Sequence, residues 1–123
     1  MIKNKPKRSK YGNKKCYYQG LKFDSILELD RWKFLQKCEK EMLIEDLTRQ
    51  AKYPMKINDK LICSYIADFE YSRNGKIITE DAKGVLIEVF RIKAKLFEAI
   101  YSRKIQIVKK ADVTSLTIKE KAK

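Results

Sequence analysis

Residues 61–84 read LICSYIADFEYSRNGKIITEDAKG. Cys63, Tyr65, Ala67, Phe69 and Tyr71 alternate with smaller or polar residues, the period-two pattern of a half-buried strand, and are expected to share one face. Asn74-Gly75 follows, the strongest short hairpin signal, because both central positions of its tight turn need positive φ. The return strand spans 76–83 and stops at Gly84. A two-residue turn pairs Arg73 with Lys76; counted outward, Asp68 falls opposite Asp81. Glu80 falls opposite Phe69 on the other face, unless a bulge near Thr79 reverses the choice.

Directly opposed side chains have Cβ atoms about 5 Å apart, and two carboxylates at that distance repel. Aspartate is also disfavoured in strands. A hard divalent cation between Asp68 and Asp81 would relieve both, with Mg²⁺ suited to one or two carboxylates plus phosphate and water. Lys83, two residues past Asp81, projects from the same face and adds positive charge where a phosphate would approach.

Around this hairpin the chain divides simply. Residues 17–23 predict two short strands about a Gln19-Gly20 turn. Asp24 and Ser25 open a helix to about residue 40, with Leu27, Phe34, Leu35, Cys38 and the stem of Arg31 at helical spacing. Ser25-x-x-Glu28 fits a capping box. Residues 43–57 form a strand interrupted at Pro54, with Leu47, Ala51, Tyr53, Met55 and Ile57 on one face, and Asn58-Asp59 is a turn. A second helix covers 88–102, and 104–108 is a buried final strand. A right-handed crossover would set that strand parallel to a neighbour. The expectation is one α/β domain over 15–108, a mixed sheet with a helix on each side, preceded by a basic arm (1–14) and followed by a basic segment (109–123).

Charge distribution points to a partner. The chain of 123 residues carries a net charge of +13. Residues 1–15 hold seven Lys/Arg and no acid, whereas residues 16–108 hold 17 basic and 14 acidic side chains. Basic ends on a near-neutral body suit a polyanion, usually nucleic acid. Lys10, Lys14 and Lys15 in the arm are candidate contacts. Arg91, Lys93 and Lys95 on the second helix are others, with Arg91 and Lys95 one turn apart.

Exclusions narrow the chemistry. There is no histidine, which removes Ser-His and Cys-His nucleophiles. Cys16, Cys38 and Cys63 contain no C-x-x-C pair and supply too few ligands for zinc. No run of roughly 18 apolar residues spans a membrane, and no signal-like N-terminus occurs, so a cytoplasmic protein is expected. No Walker or Rossmann glycine loop is present.

Asp68 followed by Asp81-Ala82-Lys83, with Glu28 on the preceding helix, resembles the PD-(D/E)XK, or restriction-endonuclease-like, nuclease superfamily. Lys10-Tyr11-Gly12-Asn13, Phe23-Asp24-Ser25, Tyr65-Ile66-Ala67-Asp68-Phe69 and Val89-Phe90-Arg91-Ile92-Lys93 extend the likeness. Together they look like a small phage-encoded family of that superfamily, similar to Holliday junction resolvases. The resemblance covers most of 10–101. The sequence departs from the pattern in having Ala67 where the superfamily name has proline, and in using Asp81, not glutamate, in the triplet.

The resemblance implies a restriction-endonuclease-like α-β-β-β-α-β core. It implies Mg²⁺ or Mn²⁺ held by Asp68, Asp81 and the Ala82 carbonyl, with Glu28 completing the shell, and Lys83 acting on the attacking water. The implied activity is endonucleolytic hydrolysis of DNA, with branched or junction DNA as partner, a homodimer making paired cuts, and the host cytoplasm as location. Alternatives are a nicking or site-specific endonuclease on the same centre, and a non-catalytic basic DNA-binding protein.

Overall fold

The computed structural model describes residues 15–83 and 86–117; the expected arm, 1–14, lies outside the described residues. The elements follow the expected order. β1 (Cys16–Tyr18) and β2 (Leu21–Phe23) form a two-stranded sheet about a turn in which Gln19 (φ 51°) and Gly20 (φ 78°) are both left-handed. α1 (Ile26–Lys40) is capped by Ser25, and β3 (Glu45–Ile57), β4 (Lys60–Arg73) and β5 (Lys76–Ala82) follow as antiparallel neighbours. α2 (Glu88–Tyr101) crosses over to β6 (Gln106–Val108), which pairs parallel to β5. The protein is a mixed α/β structure with two helices and a four-stranded mixed sheet ordered β3-β4-β5-β6.

Turn chemistry sets the register. Asn58 and Asp59 (φ 49° and 65°) close β3 on β4, and Asn74 and Gly75 (φ 52° and 77°) close β4 on β5. Primed turns of this kind match the right-handed twist of the strands they join. Arg73 pairs with Lys76, Glu70 with Thr79 and Phe69 with Glu80, without a bulge. Glu80 therefore lies on the face opposite Asp81, as expected.

Two cores form rather than one. Phe23, Trp32, Leu35, Cys38, Ile44, Phe69 and Tyr71 pack under α1, and Met55, Tyr65, Ala67, Phe90, Phe97 and Ile105 pack under α2. This corrects the single apolar face expected for β4. Residues two apart on a regular strand share a face, yet Ala67 belongs to the α2 core and Phe69 to the α1 core. The buried face changes between them. β3 changes at the same level: the Arg49 guanidinium lies 4.2 Å from the centre of the Phe23 ring, and Ala51 packs on the α2 core. Gln50, between them, has φ 58°. The flanking pairs Arg49–Phe69 and Ala51–Ala67 bracket Gln50 and Asp68, so the switch falls at the level of an acid already singled out by its register.

Residues 109–117, too polar to predict an element, fold onto the body. The Arg31 guanidinium donates to the carbonyls of Asp112, Val113 and Ser115 at 2.8–3.0 Å, and Leu116 packs against the α1 core. Among the described residues no helix is long and apolar enough to cross a membrane, and all three cysteines are free.

Candidate active site

The carboxylates singled out in the sequence come together at the end of β5. Asp81 is 2% exposed. Its Oδ2 accepts a hydrogen bond from the Tyr65 hydroxyl. Its Oδ1 is buried without a hydrogen bond, and Lys83 Nζ lies 3.3 Å away. Lys83 is half-buried and also sits over the Phe90 ring, 4.8 Å from its centre. Asp68 reaches across from β4, where Oδ2 accepts from the backbone N–H of Ala82 at 2.9 Å.

Glu28 arrives from the first turn of α1. The capping role expected from Ser25-x-x-Glu28 is real: Ser25 Oγ accepts from the Glu28 N–H at 3.1 Å and donates to its Oε2 at 3.4 Å. Capping leaves the carboxylate close enough to the cluster for Asp68, Asp81 and Lys83 to act on its proton affinity. One residue serves both ends: a backbone N–H satisfied at the helix start, and a side chain delivered to the site.

Crowding of acids is visible in their proton affinities. Burial, then the charges of Asp81 and Glu28, then a hydrogen bond with Asp81, push Asp68 up to about 9, opposed by the Ala82 N–H. Burial, then Asp24 and Asp81, push Glu28 up to about 6, against the pull of Asp68 and Lys83. Two carboxyls with raised affinity beside a third hold a proton where a cation would otherwise neutralise them.

Among the described residues no group of three or more Asp, Glu or Cys side chains is placed to hold a metal ion. The donor chemistry still fits a hard ion held by few protein ligands. All the acidic groups are carboxylates, and Asp81 Oδ1 is buried without a hydrogen bond, its ion-pair partner being the half-buried Lys83.

Behind the cluster runs a second network that the sequence did not announce. Arg31, fully buried, makes a two-pronged pair with Glu80 through Nε–Oε1 (2.8 Å) and Nη2–Oε2 (2.5 Å), and Tyr71 donates to the same Oε2. Arg31 is one helical turn from Glu28, and Glu80 adjoins Asp81. The network ties the two elements that supply the site. Periodicity placed Arg31 on the inner face but gave its guanidinium no partner; an arginine three residues from the candidate glutamate was the available signal. Tyr65 was expected only to pack in the sheet, and its hydroxyl proves to orient Asp81.

Of the candidate nucleic-acid contacts, Lys10 and Lys14 lie outside the described residues, and Lys15 is exposed. Arg91 and Lys95 are exposed on one face of α2, while Lys93 turns inward and its Nζ donates to the Ser64 carbonyl at 3.1 Å.

No curated protein sequence and no solved structure matches the chain. Residues 8–115, which include both helices, the whole four-stranded sheet and all four residues of the candidate centre, match one family, and by that match the chain belongs to the family described as Protein of unknown function (DUF1064).

Proposed function

We propose that this protein is a metal-dependent endonuclease that hydrolyses DNA phosphodiesters, with a restriction-endonuclease-like topology. The observation that carries it is the convergence of Glu28, Asp68, Asp81 and Lys83 from three elements onto the end of β5. The element order helix, three antiparallel strands, helix, parallel strand supports the topology.

Asp68 and Asp81 would hold Mg²⁺ or Mn²⁺, with Glu28 and the Ala82 carbonyl as further ligands. When bound, such an ion lowers the pKa of a coordinated water and offsets charge developing on phosphate oxygens. The Lys83 ammonium, 3.3 Å from Asp81, would donate to the attacking water to orient it and would offset charge developing on the phosphate. Tyr65 fixes Asp81 by occupying Oδ2, which would leave Oδ1 available to a cation. Arg91 and Lys95 supply phosphate contacts beside the centre, and the basic arm adds long-range attraction. Branched or junction DNA is the proposed substrate, and a two-fold homodimer the proposed assembly, since paired cuts require two centres.

The test is cleavage of a four-way junction and of linear duplex with Mg²⁺, Mn²⁺ or EDTA. Asp81→Ala and Lys83→Ala are expected to abolish cutting while DNA binding persists. Cutting by both variants at the native rate would remove the assignment. Salt-sensitive binding with no metal-dependent cleavage of either DNA would leave the non-catalytic DNA-binding alternative standing.

A further inference from the structure

A groove of about 300 Å³ lies between α2 and β6, at the small end of the range typical of ligand sites. Its floor is apolar, formed by Leu86, Phe90, Ala94, Ile105 and Ile107, while Arg91, Lys95, Lys104 and one acid, Glu98, supply its charged edge. Arg91 and Lys95 are exposed, and neither makes a side-chain hydrogen bond or ion pair among the described residues.

The groove opens beside the candidate centre. Ile107 pairs in register with Asp81 across the parallel β5–β6 ladder. Paired residues of neighbouring strands share a face of the sheet, so the groove and the Asp81 carboxylate lie on the same side. Phe90 joins them physically, because it lines the groove and carries Lys83 on its ring.

An apolar trough whose charged edge is net positive, three cations to one carboxylate, is complementary to a chain that alternates apolar and anionic parts. A DNA duplex hides its bases and offers only sugars and phosphates. An unpaired strand offers both bases and phosphates, and proteins that hold single strands pair a basic track with apolar surface. We propose that this groove holds an unpaired DNA strand next to the candidate centre, with nucleobase and sugar over Ile105 and Ile107 and flanking phosphates on Arg91 and Lys95. This deepens the nuclease assignment and rests on it for the meaning of the neighbouring carboxylates. It makes the preferred substrate one with unpaired nucleotides at the cut.

The experiment is fluorescence anisotropy in EDTA, using the full chain, a labelled oligothymidine of about eight nucleotides, and a blunt duplex as second probe. Ala94→Trp fills the groove without changing charge. It is expected to weaken oligothymidine binding about tenfold and to leave duplex binding and calorimetric Mn²⁺ binding unchanged. Arg91→Ala with Lys95→Ala, both on the exposed rim, is expected to lower the salt slope for the oligonucleotide by about 1.4; this pair decides the matter if Ala94→Trp does not fold. Native affinity in Ala94→Trp, equal weakening toward both probes, or an unchanged slope in the double variant would each overturn the proposal. Its failure is separable from that of the nuclease assignment: groove-dependent binding without cleavage removes the enzyme and keeps the groove, and cleavage with groove-independent binding does the reverse.

Discussion

Asp68 accepts its hydrogen bond from the N–H of Ala82, the residue immediately after Asp81. That bond ties the Asp68 side chain to the backbone beside Asp81, while the Tyr65 hydroxyl holds Asp81, so the two acids are kept close. Folding imposes the repulsion.

Asp68 and Glu28 have raised proton affinities, about 9 and about 6. In the unfolded chain both ionise at ordinary carboxylate values. Between roughly pH 4 and pH 9 the folded state therefore binds more protons than the unfolded one, and stability falls as pH rises, by at most about 1.4 kcal/mol per pH unit for each group. Thermal melts in EDTA are expected to show a lower Tm at pH 8 than at pH 5, and Mn²⁺ to reduce the difference. A Tm that rises over this range would contradict the crowding of the acids.

Asp68→Asn keeps an oxygen for the Ala82 N–H and removes a charge. The metal-free variant is expected to melt above the native protein at pH 8 and to lose that advantage near pH 4. Cleavage is expected to be lost in the same variant. Stability gained together with activity lost marks an acid kept for chemistry rather than packing.

Tyr65→Phe leaves the ring in its core and frees Asp81 Oδ2. Hydrogen bonds to charged groups contribute about 1.5–3 kcal/mol, and loss of a group that orients a metal ligand weakens binding about 10–100-fold. Calorimetric Mn²⁺ titration is expected to show that weakening, with the fold intact by circular dichroism. Native affinity in Tyr65→Phe would show that the hydroxyl does not orient Asp81.

Arg31→Met strands the Glu80 carboxylate in the core and is expected to cost about 3–5 kcal/mol in urea unfolding. Replacing both partners, Arg31→Met with Glu80→Gln, is expected to cost less than the two single changes combined. Additive losses would mean that the pair is not coupled.

Gln50→Gly tests the bend. Its φ of 58° strains any residue with a Cβ, so glycine is expected to stabilise the protein by up to about 1 kcal/mol. A loss of stability would show that the Gln50 side chain holds the bend.

Much of this was legible in the sequence for physical reasons. Asn74-Gly75 fixes a two-residue turn, the turn fixes the register, and the register brings Asp68 toward Asp81 and turns Glu80 away. Ser25 marks the start of α1 because its hydroxyl competes well for an orphan N–H. The change of buried face was not legible. Tyr65, Ala67, Phe69 and Tyr71 alternate identically whether a strand runs straight or turns over, and no residue type announces a left-handed glutamine. Arg31 was obscured because arginines ordinarily keep their charge in water while burying the stem. Lys93 and Lys95 look equivalent in sequence, and only the packed position of Ser64 draws one of them inward.

The turnover of the β3–β4 ribbon gives the molecule two oily centres and a single seam between them, and Asp68 sits on that seam. Phe23 beneath α1 and Phe97 on the buried face of α2 belong to separate clusters. Loosening either side shifts the same carboxylate relative to Asp81. Conservative cavities at these two remote positions are therefore expected to share one defect, weakened Mn²⁺ binding, before either unfolds the chain. In such a layout the candidate centre would act as a gauge of packing quality for the whole domain.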